Sequence, residues 1–431
     1  MSGNALPPLP KSALTLVVSR GLSGIGSSLT VFGLDVWLFR STGSYTIFAY
    51  MAVLASLPTL VFAPFAGMVT DRYNRRALLL LCDLVSLLMV AALLACYWYG
   101  KLGTVMIGLA IVVLALATEL RWSALSSVLP SLAPKEQLMR LNGLQQSFRG
   151  VTVMLGPMIG AIGLNTLGLS LLLAVDIATY LIGILGLARI RLPAAAPTPR
   201  HGMGFWSELS FGVRWVARQP GLRRLLCFFM IINIGVSVFT STFAPYLLSF
   251  TTNTVLAGSL GLQGMGAFLT GILLSRHHLV KNNEAAIVGG AVCFGVCMLA
   301  WGLSRHPAAL WLTAVLLGSL ASMIMAASNT IWQSHVPNEI QGKVFAVRSM
   351  LSYGLTPLSV FLSAPFASAV LQPLLLRAPQ LSAIWGEASA GALGLMVSVL
   401  GLGVIASSVI VLGQGGLRLS EPAPSILRPL S

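Results

Sequence analysis

The chain contains, between two long apolar stretches, the run Gly67-Met68-Val69-Thr70-Asp71-Arg72-Tyr73-Asn74-Arg75-Arg76. The apolar stretches on either side, at about 46–70 and 77–98, are each long enough to cross a bilayer. Arg75 and Arg76 place the turn on the cytoplasmic side, where basic residues accumulate. The pair Asp71-Arg72 can bind helix ends and neighbouring charges. Asn74 stands at the turn itself, and asparagine adopts the left-handed conformation more readily than most residues.

The composition indicates a membrane protein. Hydrophobic residues make up 56% of the 431 residues and charged residues only 9%, with a mean hydropathy of +0.87. Apolar stretches of about 20 residues recur along the whole length. They predict twelve transmembrane helices, at about 13–38, 46–70, 77–98, 103–123, 143–163, 169–188, 225–249, 255–275, 285–303, 308–331, 344–370 and 389–413. We therefore predict an all-α membrane protein.

The distribution of basic residues predicts the topology. The net charge of +15 could suggest a nucleic-acid partner, but its distribution along the chain argues against one. With the N-terminus in the cytoplasm, twenty of the 26 Lys and Arg residues fall in cytoplasmic segments, Arg121 and Arg348 among them, and four fall outside. Arg20 and Arg149 lie within spans. This excess predicts that both termini are cytoplasmic, in a multi-pass protein of the inner (plasma) membrane.

Cysteine and histidine usage predicts neither a disulfide framework nor a metal site. The five cysteines all lie in apolar stretches, as small core residues do, and the five histidines are scattered. No phosphate-binding loop of the Gly-x-x-x-x-Gly-Lys-Ser/Thr type occurs, so the chain does not itself use ATP. We expect neither a cofactor nor an enzymatic activity. The first twelve residues are polar and rich in proline, unlike a cleavable signal peptide.

The chain divides into two similar halves joined by a linker. Residues 1–188 and 225–431 are each expected to form a bundle of six helices. Residues 189–224 form a cytoplasmic linker, whose segment 205–218 has the pattern of an amphipathic helix at the membrane surface. Gly271 and Arg276 repeat Gly67 and Arg72 at the same offset, and Pro337, Glu339 and Lys343 repeat Pro134, Glu136 and Arg140 at nearly that offset. The halves are therefore predicted to be pseudo-symmetric. Ser275 stands where the first half has Asp71.

The loop at 67–76 resembles the signature loop between the second and third spans of the major facilitator superfamily. Taken alone, the same residues also suit an ordinary basic loop. Further motifs extend the resemblance to nearly the whole chain and to the drug and siderophore efflux branch, which contains macrolide efflux proteins and the enterobactin exporter. These motifs are Thr42-Gly43-Ser44, Pro134 to Gly143, Gly156-Pro157-x-x-Gly160-Ala161, and the linker run from Glu208 to Arg224.

The resemblance implies a twelve-helix transporter that works by alternating access. Members of this branch usually export an amphipathic compound in exchange for protons. Gly67, Asp71, Arg72, Arg75 and Arg76 would form the loop that switches conformation. Gly156, Pro157 and Gly160 match the antiporter motif of the fifth span, where they would permit a tight, kinked crossing against a neighbouring helix. The alternative for this motif is helix packing alone.

Charged residues inside a membrane are costly, and each is therefore a candidate for function. The acidic ones are Asp35, Asp83, Glu119 and Asp176, all in the first half. In the fold that the resemblance implies, the first and fourth spans line the cavity and the third and sixth lie at the periphery. Asp35 and Glu119 are therefore the candidates for proton coupling. Asp83 and Asp176, with Arg20 and Arg149, are expected to be intramembrane charge partners.

Position favours Asp35 over Glu119. Arg20 and Arg149 lie at a depth similar to that of Glu119 and would hold its carboxylate ionised. Asp35 is about 22 Å along the helix from Arg20. Its alternative role is that of a solvated residue at a helix end.

Aromatic and polar residues of the second half are the candidates for contact with a substrate. They are Asn233, Phe239, Phe243, Tyr246, Asn329, Trp332 and Tyr353. An aromatic stripe at helical spacing also suits core packing. We expect a small amphipathic substrate, protons and the lipid bilayer as partners, and a monomer. An importer of a siderophore, a lysolipid flippase and a transporter-like sensor or scaffold remain alternatives.

Overall fold

The computed structural model describes residues 7–42, 73–166, 168–190, 205–277, 280–337, 340–386 and 388–417, with 47, 51, 54, 55, 62, 65, 66, 69 and 70. No strand occurs among them. The first half contains α1 (Lys11–Thr42), α2 (Arg75–Trp98), α3 (Thr104–Leu132), α4 (Lys135–Thr166) and α5 (Gly168–Ala188). Helix α6 (Phe205–Ala217) follows, where the amphipathic helix was predicted.

The second half begins at a proline, which suits the first turn of a helix because its missing N–H has no partner there. Its helices are α7 (Pro220–Leu248), α8 (Asn253–Arg276), α9 (Asn283–Leu303), α10 (Pro307–His335), α11 (Gln341–Tyr353) and α12 (Thr356–Phe366), then a π-helical turn (Ala367–Leu371), α13 (Gln372–Arg377), α14 (Pro379–Trp385) and α15 (Ala388–Gly413).

Ten helical segments of the described residues are long and apolar enough to cross a membrane. The span expected at 46–70 lies largely outside the described residues. The span expected at 143–163 lies within α4, part of which lies outside the described residues, and it is not among the ten. The span expected at 344–370 is interrupted at 354–355, between α11 and α12. After it, α13 and α14 occupy a segment that was expected as a connection.

At the end of the signature loop, the backbone of Asn74 differs from the expected left-handed conformation. This residue has φ −60° and ψ 116°, an extended conformation, and not a left-handed one. Its side-chain oxygen accepts hydrogen bonds from the backbone N–H of Arg76 at 2.9 Å and of Ala77 at 3.3 Å. Asn74 therefore acts as the N-cap of α2 and satisfies two donors that a helix start leaves unpaired.

Helices α3 and α4 also extend further than the hydropathy pattern predicts. Residues 129–143, expected as a connection, are helical except at 133–134. Pro130 lies inside α3 and cannot donate to the carbonyl of Ser126, four residues earlier. Gln333 of the second half donates to that carbonyl at 3.4 Å. The contact between the halves therefore satisfies a group that proline leaves unpaired.

The two halves pack along α4 and α8, where glycines permit close approach. A Cβ added at Gly150 would lie 2.5 Å from the backbone nitrogen of Phe268, and one at Gly271 would lie 2.4 Å from the nitrogen of Ser147. Backbone contacts this close require small residues, as at other helix interfaces in membranes. We call the end of the bundle that carries Arg76, Lys135, Arg140 and Arg276 the basic end.

Candidate functional site

A cavity between the halves is lined by residues of both, with about 650 Å³ of atom-free space, including the part open to solvent. We call it the interbundle cavity. The first half contributes Ala66, Glu119, Trp122, Ser123 and Ser126, and the second half contributes Phe229, Asn233, Met325, Asn329, Phe345, Ala346, Arg348, Ser349, Ser352 and Tyr353. Aromatic and aliphatic side chains form much of its wall, with one acidic and one basic side chain among them. This mixture suits an amphipathic ligand.

Hydrogen bonds between the halves close the cavity at the basic end. Asn142 Nδ2 donates to Gln333 Oε1 at 2.8 Å and to Thr330 Oγ1 at 3.1 Å, and Gln333 Nε2 donates to the carbonyl of Ser126. Nearer the helix ends, Arg140 Nε donates to the carbonyl of Ser275 at 2.9 Å. Among the described residues, the hydrogen bonds that join the halves all lie in this part of the bundle.

Arg348 is the basic residue of the cavity wall. Its Nη2 donates to Ser328 Oγ at 3.1 Å and to Asn329 Oδ1 at 3.0 Å, and its guanidinium carbon lies 5.4 Å from the centre of the Trp332 ring. Trp332 is only 1% exposed, so it packs behind Arg348. The charge distribution along the sequence counted Arg348 as cytoplasmic, whereas α11 places it in the cavity wall. The predicted second-half spans contain no other charged residue, and that signal could have identified Arg348.

The four expected charge partners separate into a buried cluster and an exposed residue. Asp83 is fully buried and forms ion pairs with Arg20 and, at 3.3 Å, with Arg121. Arg20 Nη2 also donates to the carbonyl of Gly183 at 2.7 Å. Arg121, counted from the sequence as cytoplasmic, lies inside the first half because α3 continues eleven residues beyond it. Arg149 is exposed on α4.

Asp176 joins this cluster through polar groups. It is fully buried, and its Oδ1 accepts hydrogen bonds from Thr179 Oγ1 at 3.3 Å and Ser27 Oγ at 3.5 Å. Ser27 is also hydrogen-bonded to the hydroxyl of Tyr180 at 2.8 Å, and Arg121 lies 5.2 Å from the centre of the Tyr180 ring. Two carboxylates and two arginines thus share the interior of the first half and compensate each other.

The structure places the two proton-coupling candidates differently. Glu119 is half-buried on α3 and lines the interbundle cavity. Asp35 is half-buried on α1 and is not among the residues that line it. Of the arginines expected beside Glu119, Arg20 forms an ion pair with Asp83 and Arg149 is exposed on α4. Of the two arginines, Arg20 is therefore committed to the charge cluster of the first half.

The substrate candidates also divide. Asn233, Asn329 and Tyr353 line the cavity, and Asn233 Nδ2 donates to the carbonyl of Ser352 at 3.1 Å, which joins α7 to α11. Phe239, Phe243 and Tyr246 do not line it.

Those three residues pack around Trp301, whose ring centre lies 4.9 Å from that of Phe243. The hydroxyl of Tyr246 lies 3.0 Å from the carbonyl of Gly302. For these three, the aromatic stripe forms core packing.

Only part of the signature loop lies among the described residues. Arg75 Nη1 donates to the carbonyl of Ser127 at 2.9 Å, and Arg76 Nη2 donates to the carbonyl of Ala188 at 2.9 Å. Both arginines thus bind carbonyls near the C-terminal ends of helices, where cations are favourable. Gly67, Asp71 and Arg72 lie outside the described residues.

The antiporter-type motif lies on α4. A Cβ added at Gly156 would lie 2.9 Å from Ser28 Oγ, so this glycine permits close packing of α4 against α1 within the first half. The side chain of Pro157 and the packing at Gly160 lie outside the described residues. Among the described residues, no group of three or more His, Cys, Asp or Glu side chains is placed to hold a metal ion.

Sequence comparisons agree with this fold and with the resemblance of the signature loop to the major facilitator superfamily. The family model of the Major Facilitator Superfamily matches residues 16–359. Macrolide efflux protein A of Streptococcus pyogenes is 22% identical over 371 residues, covering 83% of this chain and 89% of the relative. The multidrug efflux pump Tap of Mycolicibacterium fortuitum is 24% identical over 369 residues, covering 83% and 90%.

Solved structures show the same fold. The human organic anion transporter MFSD10 (TETRAN) aligns with a TM-score of 0.70 at 16% identity, covering 94% of this chain and 100% of that one. A bacterial homologue of the iron transporter ferroportin, in an outward-facing state, also aligns with a TM-score of 0.70 at 16% identity, covering 94% and 99%. These neighbours have the twelve-helix fold, which confirms the predicted fold class. The chain therefore belongs to the Major Facilitator Superfamily and is a multi-pass membrane transporter, not an enzyme.

Proposed function

We propose that this transporter exports a small amphipathic compound, such as a macrolide or siderophore, by alternating access and in exchange for protons. The observation that carries the proposal is the interbundle cavity, which both halves line and which hydrogen bonds between them close at the basic end. The efflux activities named for the relatives support the direction of transport. Export fits a site that both halves can expose in turn to opposite sides.

The excess of basic residues supports placing the basic end in the cytoplasm, with both termini there and the protein in the inner membrane. In that orientation the structure is closed towards the cytoplasm. We propose that it acts as a monomer, because each chain supplies both walls of its own cavity.

We propose Glu119 as the first candidate for proton coupling, ahead of Asp35, because it lines the cavity. A carboxylate there can exchange protons with water from whichever side is open and can respond to the substrate. Purified Glu119→Gln and Asp35→Asn variants in liposomes separate the two. Glu119→Gln should stop substrate-driven proton movement while binding remains measurable. Coupling lost only in Asp35→Asn would return the assignment to Asp35.

The function itself is tested by comparing compounds retained by a deletion strain and by the same strain carrying the gene. An exported compound accumulates inside the deletion strain and falls when the gene is restored. The opposite pattern, with less compound inside the deletion strain, would indicate an importer. Identical profiles, across compounds that enter both strains, would contradict transport and support a sensor or scaffold.

A further inference from the structure

We propose that Arg348 binds an anionic group of the substrate, and that the transported compound is an amphipathic molecule carrying a carboxylate or a similar oxyanion. This inference rests on the proposed function, since it names the class of substrate for the same cavity. Arg348 lies outside the signature loop and outside the antiporter-type motif.

Arg348 has unused hydrogen-bonding capacity. A guanidinium carries five N–H donors, and the two recorded hydrogen bonds both leave from Nη2. Within the described part of the chain, Nε and Nη1 donate to no protein group. Neither is among the buried atoms that lack a partner, so both keep accessible surface on a residue that lines the cavity. An oxyanion of a ligand can accept a charge-assisted hydrogen bond from either of these two nitrogens.

The positive charge of Arg348 is not balanced by an ion pair within the described part of the chain. Among the described residues, no carboxylate forms an ion pair with Arg348. This contrasts with Arg20 and Arg121, which share the buried Asp83. A cation inside a membrane protein is costly without a counter-ion, and such residues usually have a functional reason. A substrate anion would supply the missing counter-charge.

The guanidinium of Arg348 is held in a fixed position. Ser328 and Asn329 hold one of its nitrogens, and the ring of Trp332 lies behind it. A side chain held in this way loses little conformational entropy when a ligand binds. The arrangement therefore has the features of a prepared binding group.

The cavity also offers apolar surface for the rest of the ligand. Phe229, Met325 and Phe345 line the same cavity and offer apolar surface. A ligand with its oxyanion at Arg348 can place an apolar body against these side chains. The combination selects an amphipathic anion or zwitterion over a simple inorganic anion.

Rhodamine 110 and rhodamine 123 provide a matched pair of probes, because the second is the methyl ester of the first and lacks its free carboxylate. Binding to the full-length transporter in lipid nanodiscs is measured by fluorescence anisotropy. We expect wild-type protein to bind rhodamine 110 about tenfold or more tightly than rhodamine 123, as a charge-assisted hydrogen bond would produce. Arg348→Gln should abolish this preference, and Arg348→Lys should keep part of it. Arg149→Gln, which removes the same charge outside the cavity, should leave it unchanged.

Equal binding of both dyes by wild-type protein would overturn the inference, as would a preference that survives in Arg348→Gln. Melting temperatures of all variants identify any loss of folding. If Arg348→Gln does not fold, the preference measured for wild-type protein and for Arg348→Lys still tests the inference. Transport of the dyes in proteoliposomes is a separate arm. A preference that depends on Arg348 without any transport would support the inference and contradict the proposed export. Transport of both dyes without a preference for rhodamine 110 would support the proposed export and contradict the inference about Arg348.

Discussion

The interiors of the two halves differ in the kind of side chain that they bury. The first half buries a charge cluster of Arg20, Asp83 and Arg121, with Asp176 connected to it through hydroxyl groups. The second half buries an aromatic cluster of Phe239, Phe243, Tyr246 and Trp301.

The difference assigns separate roles to charges of the same type. In the first half, opposite charges neutralise each other away from the cavity, so their loss should affect folding first. In the second half, Arg348 lies in the cavity wall without a carboxylate partner among the described residues, so its loss should affect ligand binding first. A charge within a transporter is therefore informative only together with its partners.

The largest effect on this comparison is expected from Asp83→Asn. The change leaves Arg20 and Arg121 buried beside each other with Asp176 as the remaining carboxylate of the cluster, and we expect a loss of about 3–5 kcal/mol of stability. Thermal melting of the purified protein and the yield of folded protein measure it. Asp35→Asn, which changes a half-buried carboxylate outside the cluster, is the control. Equal melting temperatures for the two variants would show that the cluster is not what stabilises the first half.

Asp71→Asn should abolish most transport while the protein stays in the membrane. The signature loop would hold one conformation closed through its contacts with helix ends, as Arg75 and Arg76 bind carbonyls of α3 and α5. In the second half, Ser275 stands in the repeat at the position of Asp71, and Ser275→Ala should retain most transport. Initial rates at matched expression compare the two. Normal rates in Asp71→Asn would contradict the switching role of the loop.

Glycines test how closely each half is packed. A Cβ at Gly302 would lie 2.3 Å from the carbonyl oxygen of Gly394, which is backbone and cannot rotate away. We expect Gly302→Ala to cost about 1–3 kcal/mol. At Gly156 the added Cβ would meet the side chain of Ser28, so Gly156→Ala should cost less. Melting temperatures rank the two, and the reverse order would contradict this account.

The larger change at the same motif tests its function. Gly156→Leu should leave folded protein but separate α4 from α1, causing a leak or slow cycling. Normal coupling of protons and substrate in this variant would contradict the antiporter interpretation.

The smallest effects are expected at two buried tyrosine hydroxyls. Tyr246→Phe removes a donor that lies 3.0–3.3 Å from three backbone carbonyls of the second half, and we expect a loss of about 0.5–1.5 kcal/mol. Tyr180→Phe in the first half removes the partner of Ser27, which neighbours Asp176, and should cost at least as much. Chemical denaturation of both variants measures the difference. A larger cost at Tyr246 would weaken the contrast between the two interiors.

The sequence by itself determined the class of protein, most of its spans and its family. A membrane requires about 20 apolar residues for each crossing, and this requirement is local, so it can be read from each stretch alone. The signature loop and the repeat of Gly67 and Arg72 at Gly271 and Arg276 are also features of the chain order. The capping role of Asn74 was missed, because its extended conformation depends on where α2 begins.

Only the tertiary structure decided which buried residues meet. Hydropathy ended the fourth span too early, whereas α3 continues past Pro130 and carries Arg121 into the interior beside Asp83. The pattern of aromatic and polar residues could not distinguish Asn329, which lies in the cavity wall, from Phe243, which lies in the core. Within a helical bundle, residues facing the cavity and residues facing the core are both enclosed by neighbouring helices. Their helical periodicity is the same, and only the positions of those neighbours distinguish them.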